Sequence, residues 1–399
     1  VILQKLPPTI KFFMLFGSLY STNCQNTPPD YNSSNSIFRN SSTAYLKSTN
    51  LNGNSMDGES IDIDNDGDID MILAMEFKKN IILINDGSGV LQDQSDIRFP
   101  KTVHDSEDIA IADFDNDGDL DIVFVSEDDQ TNEYYLNDGN ATFTNTYKRI
   151  HVTGISNVVE TTDFNNDGFA DLIIGNRGQN FLLINNRKGG FLDETDLRLP
   201  GGNQTTQDIE LKDIDGDNDL DIIEANETSN RILLNNGIGI FTDETALRLP
   251  NIDDQTREVE LADIDNDGDL DLFFANVDFG GMGNPQNRLL LNDGTGKFED
   301  ITHAALPQSS IRTVGASFID INLDGYPDII SGNRFNELDN IVLINDKKLK
   351  FHDKTKYYFP KLNTYPFDFQ YADFNNDGLT DIYICNFRGE DMLLSRTAK

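Results

Sequence analysis

Short apolar runs recur along this chain at a spacing of about 50 residues: Met71-Ile72-Leu73-Ala74-Met75, Ile122-Val123-Phe124-Val125, Leu172-Ile173-Ile174, Leu272-Phe273-Phe274 and Ile382-Tyr383-Ile384. They are brief and rich in β-branched and aromatic residues, which predicts buried strands. A second run follows in nearly every copy, as in Asn80-Ile81-Ile82-Leu83-Ile84-Asn85, Asn180-Phe181-Leu182-Leu183-Ile184-Asn185 and Asn340-Ile341-Val342-Leu343-Ile344-Asn345. Next comes an Asn/Asp-Gly turn such as Asn137-Asp138-Gly139 or Asn292-Asp293-Gly294, the chemistry of β-hairpins. A last strand carries one aromatic residue: Phe143, Phe191, Phe241, Phe298 or Phe351. With the strand before each run, such as Ile209-Glu210-Leu211, every repeat predicts four strands.

Polar residues mark the same period. Seven nine-residue loops of the form Asp-x-(Asp/Asn)-x-Asp-(Gly/Asn)-x-x-Asp start at Asp62, Asp113, Asp163, Asp213, Asp263, Asp320 and Asp373, at steps of 51, 50, 50, 50, 57 and 53 residues. A period of that size belongs to propeller and solenoid units, and four-stranded units set radially are propeller blades. The predicted fold is all-β: a seven-bladed β-propeller of four-stranded antiparallel blades. The repeat count overrides the two or three domains that length alone suggests. The last repeat ends before its fourth strand, and residues 40–51 align without gaps to 186–197, with Tyr45 in the place of Phe191. An N-terminal strand is therefore expected to complete the last blade and remove both exposed edges.

Carboxylates at loop positions one, three, five and nine converge if the backbone curls, and glycine at position six permits the bend. Without a cation so many carboxylates repel one another. Six to eight oxygen ligands in flexible geometry suit Ca²⁺ better than Mg²⁺. An EF-hand needs a bidentate Glu at position twelve and then a helix. Here position twelve is Leu73, Phe124, Ile174, Glu224, Phe274, Ser331 and Ile384, and strands follow.

The acidic loops together with the Leu-Leu-x-Asn-Asp-Gly-x-Gly-x-Phe hairpin at residues 290–298 resemble the FG-GAP/VCBS repeat group, the propellers of integrin α-subunits and of many bacterial surface and secreted proteins. The resemblance covers nearly everything from Ile37 to Lys399. It implies up to seven Ca²⁺ ions, each held by side chains at positions one, three, five and nine and by the carbonyl at position seven. In the first copy these are Asp62, Asp64, Asp66 and Asp70 with Asp68 giving its carbonyl; in the second, Asp113, Asp115, Asp117 and Asp121 with Asp119. The third has Asp163, Asn165, Asp167 and Asp171 with Phe169, and the fourth Asp213, Asp215, Asp217 and Asp221 with Asp219. The fifth has Asp263, Asp265, Asp267 and Asp271 with Asp269, and the sixth Asp320, Asn322, Asp324 and Asp328 with Tyr326. The seventh has Asp373, Asn375, Asp377 and Asp381 with Leu379. Asn165, Asn322 and Asn375 bring less charge, so weaker binding is expected there. The fourth copy moves its glycine to Gly216 and puts Asn218 at position six, a residue that tolerates left-handed backbone.

The loops hold 29 of the 69 acidic residues, so most of the net charge of −38 is loop charge. So acidic a chain is a poor partner for nucleic acid. Lys5 and Lys11 precede the apolar stretch 12–20, too short to span a membrane and read as part of an export leader over 1–24. Cys24 stands where a lipoprotein carries its lipid, though Asn23 is a poor neighbour for that; lipidation, the one membrane link foreseen, and plain secretion both stay open. Residues 25–36 read as a tether, and 37–399 as the propeller. Cys385 reads as a buried strand cysteine.

Partners, a protein or a glycan, are expected on the face opposite the acidic loops, placing the protein outside the cytoplasm. Arg177, Arg334 and Arg388 recur there after the second strand, and Arg98, Arg198 and Arg248 recur before Pro100, Pro200 and Pro250. They read as an anion or glycan site, or as solvated charges balancing an acidic molecule. The 277–286 insertion reads as a contact loop or a tolerated surface insertion. A non-catalytic adhesion or ligand-binding scaffold is the expected function. The alternative is a polysaccharide lyase, which would need His104, His151, His303 or His352 beside Tyr and Arg. The chain has no Trp, which weakens a dedicated sugar platform.

Overall fold

The strands foreseen from the apolar runs form in each repeat of the computed structural model, which describes residues 36–278, 285–333, 340–362 and 364–397. The 1–24 leader, Cys24, nearly all of the 25–36 tether, Arg334 and most of the 277–286 insertion lie outside the described residues. Unit 1 consists of Ser55–Ile61, Asp70–Met75, Ile81–Asn85 and Leu91–Asp93, each antiparallel to the one before. Its second and third strands are buried throughout, which is why their sequences are apolar without alternation. Units 2 to 6 repeat this meander, with first strands Ser106–Ala112, Ser156–Thr162, Gln204–Lys212, Thr256–Ala262 and Thr313–Ile319. Units 3 and 4 are also joined edge to edge through Arg177 opposite Thr205. A single helical turn follows the last strand in most units, as in Thr195–Arg198, and no helix among the described residues is long and apolar enough to cross a membrane.

Unit 7 contributes Pro366–Ala372, Asp381–Asn386 and Met392–Arg396, and its fourth strand is Phe38–Asn40 from the other end of the chain. The strand thus forms, but seven residues away from the gapless alignment. Phe38, not Tyr45, pairs opposite Arg396 as Phe191 pairs opposite Asn185. Phe38 is wholly buried and meets Phe359 edge to face at 5.8 Å. Tyr45 instead ends the helical turn Ser42–Tyr45, whose Ser42 hydroxyl accepts the Leu393 N–H as Thr195 accepts that of Leu182. The turn and its hydroxyl fix the register, of which the polar stretch 40–51 carries no mark in sequence. Beyond the turn, Leu46–Lys47 runs parallel to the outer strand of unit 1.

Every first strand carries a bulge near its start, and the bulge residues Met56, Glu107, Gln207, Arg257, Val314 and Phe367 meet at a common centre. Arg257 of unit 5 lies 3.8 Å from Glu107 of unit 2, hydrogen-bonds Gln207 of unit 4 and stacks over Phe367 of unit 7. Met56, Val314 and Phe367 pack together there. Four units reach one side chain only if their first strands surround an axis. Consecutive first strands lie side by side, and that of unit 7 lies beside that of unit 1. The architecture is all-β and propeller-like.

Candidate metal centre

Each acidic loop joins the first strand of a unit to the second. Position two is buried in the core, as Ile63, Phe114, Phe164, Ile214, Ile264, Ile321 and Phe374, which pins the loop while its polar residues wrap inward. In unit 1 the two oxygens of Asp62 accept the N–H groups of Asp66 and Gly67, both at 3.0 Å, and Asp66 accepts that of Asp68 at 3.0 Å. Asp70 is fully buried and accepts N–H groups from Ile63 at 3.1 Å and Asn85 at 2.8 Å. The same bonds are accepted in unit 5 by Asp263, Asp267 and Asp271 and in unit 2 by Asp113, Asp117 and Asp121, except that the second Asp121 oxygen accepts the Tyr134 hydroxyl at 2.8 Å. Position six takes positive φ in every copy, including Asn218 at 71° in the fourth.

Position three stands apart. Oδ1 of Asp64, Asp115, Asn165, Asp215, Asp265, Asn322 and Asn375 is buried and has no hydrogen-bond partner, in all seven loops. Such an atom carries a desolvation cost that a partner would relieve. Around it, carboxylate oxygens of Asp62, Asp64 and Asp66 lie within 4.8 Å of one another, as do those of Asp113, Asp115 and Asp117, and of Asp213, Asp215 and Asp221. The donors are all oxygen and mostly anionic, the set a hard divalent cation takes. Burial pushes the position-nine carboxyls Asp70, Asp121, Asp171, Asp221, Asp271, Asp328 and Asp381 up to about 7 against the pull of backbone N–H groups. Position-seven side chains Phe169 and Leu379 have no oxygen to give, so any ligand from those residues is the carbonyl.

The arginines before the prolines belong to this face, not the opposite one. Arg98 donates to Asp64 Oδ2 at 3.4 Å and to the carbonyl of Asn140 in the hairpin of unit 2 at 2.7 Å. Arg248 donates to Asp215 Oδ2 at 3.2 Å and to the Thr295 carbonyl of unit 5, and Arg149 reaches Asp115 Oδ2 at 3.5 Å. Arg198 stands over the neutral Asn165 copy, turns to Glu194 at 2.6 Å and bonds the Ile238 carbonyl at 2.7 Å. Arg98, Arg149 and Arg248 hold the outer oxygen of position three and leave the inner one free, and Arg98, Arg198 and Arg248 tie their units to the hairpin of the next. A helical turn between the last strand and the proline carries them back over the loop, which spacing alone did not disclose. The recurrence of Arg 33 or 34 residues after position three was the available signal.

Hairpin asparagines add a second seam bond that the sequence hid. The Asn185 side chain donates to the Phe114 carbonyl of unit 2 at 2.8 Å, Asn292 to Ile214 of unit 4 at 3.0 Å, Asn345 to Ile264 of unit 5 at 2.8 Å, and Asn85 to Phe374 of unit 7 at 2.8 Å.

On the opposite face Arg177 is exposed in unit 3, and Arg388 is exposed in unit 7 within 6 Å of the rings of Tyr365 (5.8 Å) and Phe387 (5.6 Å). His104 is held at both ring nitrogens, by Asp129 at 2.7 Å and Glu133 at 3.6 Å, while His151, His303 and His352 are exposed. A groove of about 520 Å³ at the outer rim, lined by Leu46, Ser48, Asp93 and Ile97 among others, has no histidine in its walls. Cys385 is a buried free thiol, as expected, and burial pushes its pKa up.

The family described as FG-GAP-like repeat matches residues 62–124, 163–224, 213–274, 275–331 and 320–384. No curated protein matches the chain. Among solved structures it is similar to BBS1N, crystallised in complex with ARL6DN, at 11% identity and a TM-score of 0.56 over 91% of this chain and 99% of that one. It is also similar to the extracellular domain of the putative hybrid two-component system BT4673 of B. thetaiotaomicron, at 12% identity and a TM-score of 0.53 over 91% of this chain and 40% of that one. An Agrocybe aegerita lectin structure titled for recognition of non-reducing terminal N-acetylglucosamine matches at 16% identity and a TM-score of 0.48, over 89% of each chain.

Proposed function

The chain belongs to the FG-GAP-like repeat family, and from that premise we propose that it is a closed seven-bladed propeller, stabilised by Ca²⁺ in its acidic loops, that serves outside the cytoplasm as a non-catalytic scaffold for a protein or glycan. The observation that carries the metal assignment is the buried, unbonded position-three oxygen in all seven loops. The ligands are the side chains at positions one, three, five and nine, from Asp62, Asp64, Asp66 and Asp70 in unit 1 to Asp373, Asn375, Asp377 and Asp381 in unit 7, with the position-seven carbonyl. A bound ion would cancel repulsion among these carboxylates and complete the bonding of position three. Calorimetric titration of the chelator-treated chain with Ca²⁺ tests this. Binding should be accompanied by a rise in melting temperature, each independent site adding about 2.7 kcal/mol at a hundredfold excess over its Kd. No heat at millimolar Ca²⁺ would overturn the assignment.

Closure is supported by Phe38–Asn40 on the last unit and by the Asn85 bond to unit 7. The partner surface is proposed on the face opposite the loops, where Arg177 and Arg388 are exposed, because the loop face is given over to metal and its arginines are engaged. Export rests on the leader read in residues 1–24. The non-catalytic reading is supported by His104, whose ring nitrogens both face carboxylates, Asp129 at 2.7 Å and Glu133 at 3.6 Å. Release of unsaturated sugars from acidic polysaccharides, lost on His104→Ala or His151→Ala, would replace the scaffold by a lyase.

A further inference from the structure

We propose that a divalent cation is also bound on the face opposite the acidic loops, at the seam of units 1 and 2, by Glu76, Asp105 and Glu107. Carboxylate oxygens of these three residues lie within 4.8 Å of one another, and a second triad sharing Asp105 adds Glu127 and Asp128 at the same spacing. Glu76 follows the second strand of unit 1, Asp105 and Glu107 flank the start of the first strand of unit 2, and Glu127 and Asp128 follow the second strand of unit 2. The two units already touch here through the isolated bridge of Lys78 with His104.

Asp105 supplies the independent observation. It is 0% exposed; its Oδ2 accepts the Asp128 N–H at 2.7 Å, while its Oδ1 is buried and has no hydrogen-bond partner. Leaving a buried carboxylate oxygen bare among other carboxylates is costly unless the group is protonated or a cation sits with it. The neighbouring bases do not fill that role. Arg257 lies 3.8 Å from Glu107, also acts on Glu127, and is bonded to Gln207, but it makes no contact with Glu76 or Asp105 among the ion pairs of the described residues. The Lys78 ammonium is bonded to the carbonyls of Asn52 and Gly53, both at 2.8 Å. Glu76 Oε2 accepts the Asn54 side chain at 3.0 Å, which orients it without neutralising it. Two guanidinium groups, Arg257 beside Glu107 and Glu127 and Arg177 toward Glu127, thus face five carboxylates.

The repeat does not require an acid at this place. The residue just before the first paired position of each first strand is Asn54, Ile155, Thr205, Gln255, Arg312 and Tyr365 in the other units. The acid is therefore particular to this seam, and its ligand set, all carboxylate oxygen from two units, fits a hard divalent cation such as Ca²⁺. Bound there, the ion cross-links unit 1 to unit 2 on the side the loop ions do not reach.

Crystals of the full chain soaked in MnCl₂ test the site directly, with an anomalous peak expected between Glu76, Asp105 and Glu107. Absence of that peak in crystals whose acidic loops show theirs overturns the inference and leaves the loop assignment standing. In solution, Asp105→Asn should bind one Ca²⁺ fewer than the parent, with the loop sites unchanged and a metal-free melting temperature no lower than the parent's. Glu76→Gln, altered on the other unit, should lose the same single site, which covers the case of an Asp105 variant that folds poorly. Unchanged stoichiometry in a folded variant of either kind rejects the site.

Discussion

Leu323 holds a left-handed φ of 61° at loop position four with its side chain 66% exposed. The same position is Asn65 at 59°, Asn116 at 58°, Asn166 at 58°, Gly216 at 79°, Asn266 at 61° and Asn376 at 56°. Asparagine and glycine visit that region readily, whereas leucine pays about 1–2 kcal/mol for it, and an exposed Leu323 recovers little of that by packing. Leu323→Asn should therefore raise the melting temperature, by an amount on the order of 1 kcal/mol in stability. A fall seen by calorimetry in Ca²⁺ would mean that Leu323 makes contacts that offset its backbone. The position-four rule is readable in the sequence as an asparagine in five of the seven loops, two places before the glycine. What no column could show was the partner of a hairpin asparagine: Asn185 looks like a turn residue, yet its amide donates to a carbonyl 71 residues earlier.

At the scale of the loop, proton and metal compete for one carboxylate. The position-nine aspartates are held up to about 7 by burial in the metal-free state, so each folded loop takes up a proton that the unfolded chain, titrating near 3.9, releases. The folded form binds more protons between those values, so metal-free stability falls as pH rises from about 4 to about 7. Metal binding reverses the sign, because only the ionised carboxylate is a ligand. Ca²⁺ affinity is expected to rise between pH 5.5 and 7.5, while the melting temperature in chelator falls over the same interval. Titrations and melts at four or five pH values check both trends, and an affinity flat with pH would remove position nine from the ligand set. The loop motif, its strand partners and its turn were legible in the chain because each is local. The arginine that grips position three was visible only as a recurrence, since the helical turn that returns it to the loop face, as at Thr245–Arg248, leaves no strong mark in sequence.

For the whole molecule the decisive element is three residues long. The count of acidic loops gave the number of units, and the incomplete last repeat called for a strand from the other end, but the register came from contacts that alignment did not weigh. Nor could the chain reveal its axis, because Met56, Glu107, Gln207, Arg257, Val314 and Phe367 share a place and no chemistry. Phe38 anchors the closing strand in a core with Tyr358, Phe359, Phe369 and Leu394, and truncating a buried phenylalanine costs about 3–5 kcal/mol. In an open array that loss would be confined to the last unit, since repeats joined only to neighbours can melt in sections. In a closed ring the strand Met392–Arg396 keeps its outer partner only through Phe38–Asn40, and unit 7 supports unit 1 through Asn85 and the adjoining first strands. Phe38→Ala should accordingly lower a single calorimetric transition of the whole chain, by more in chelator than in Ca²⁺, without splitting it. Two separated transitions, the larger at the parent's temperature, would show the last unit melting alone and would refute closure.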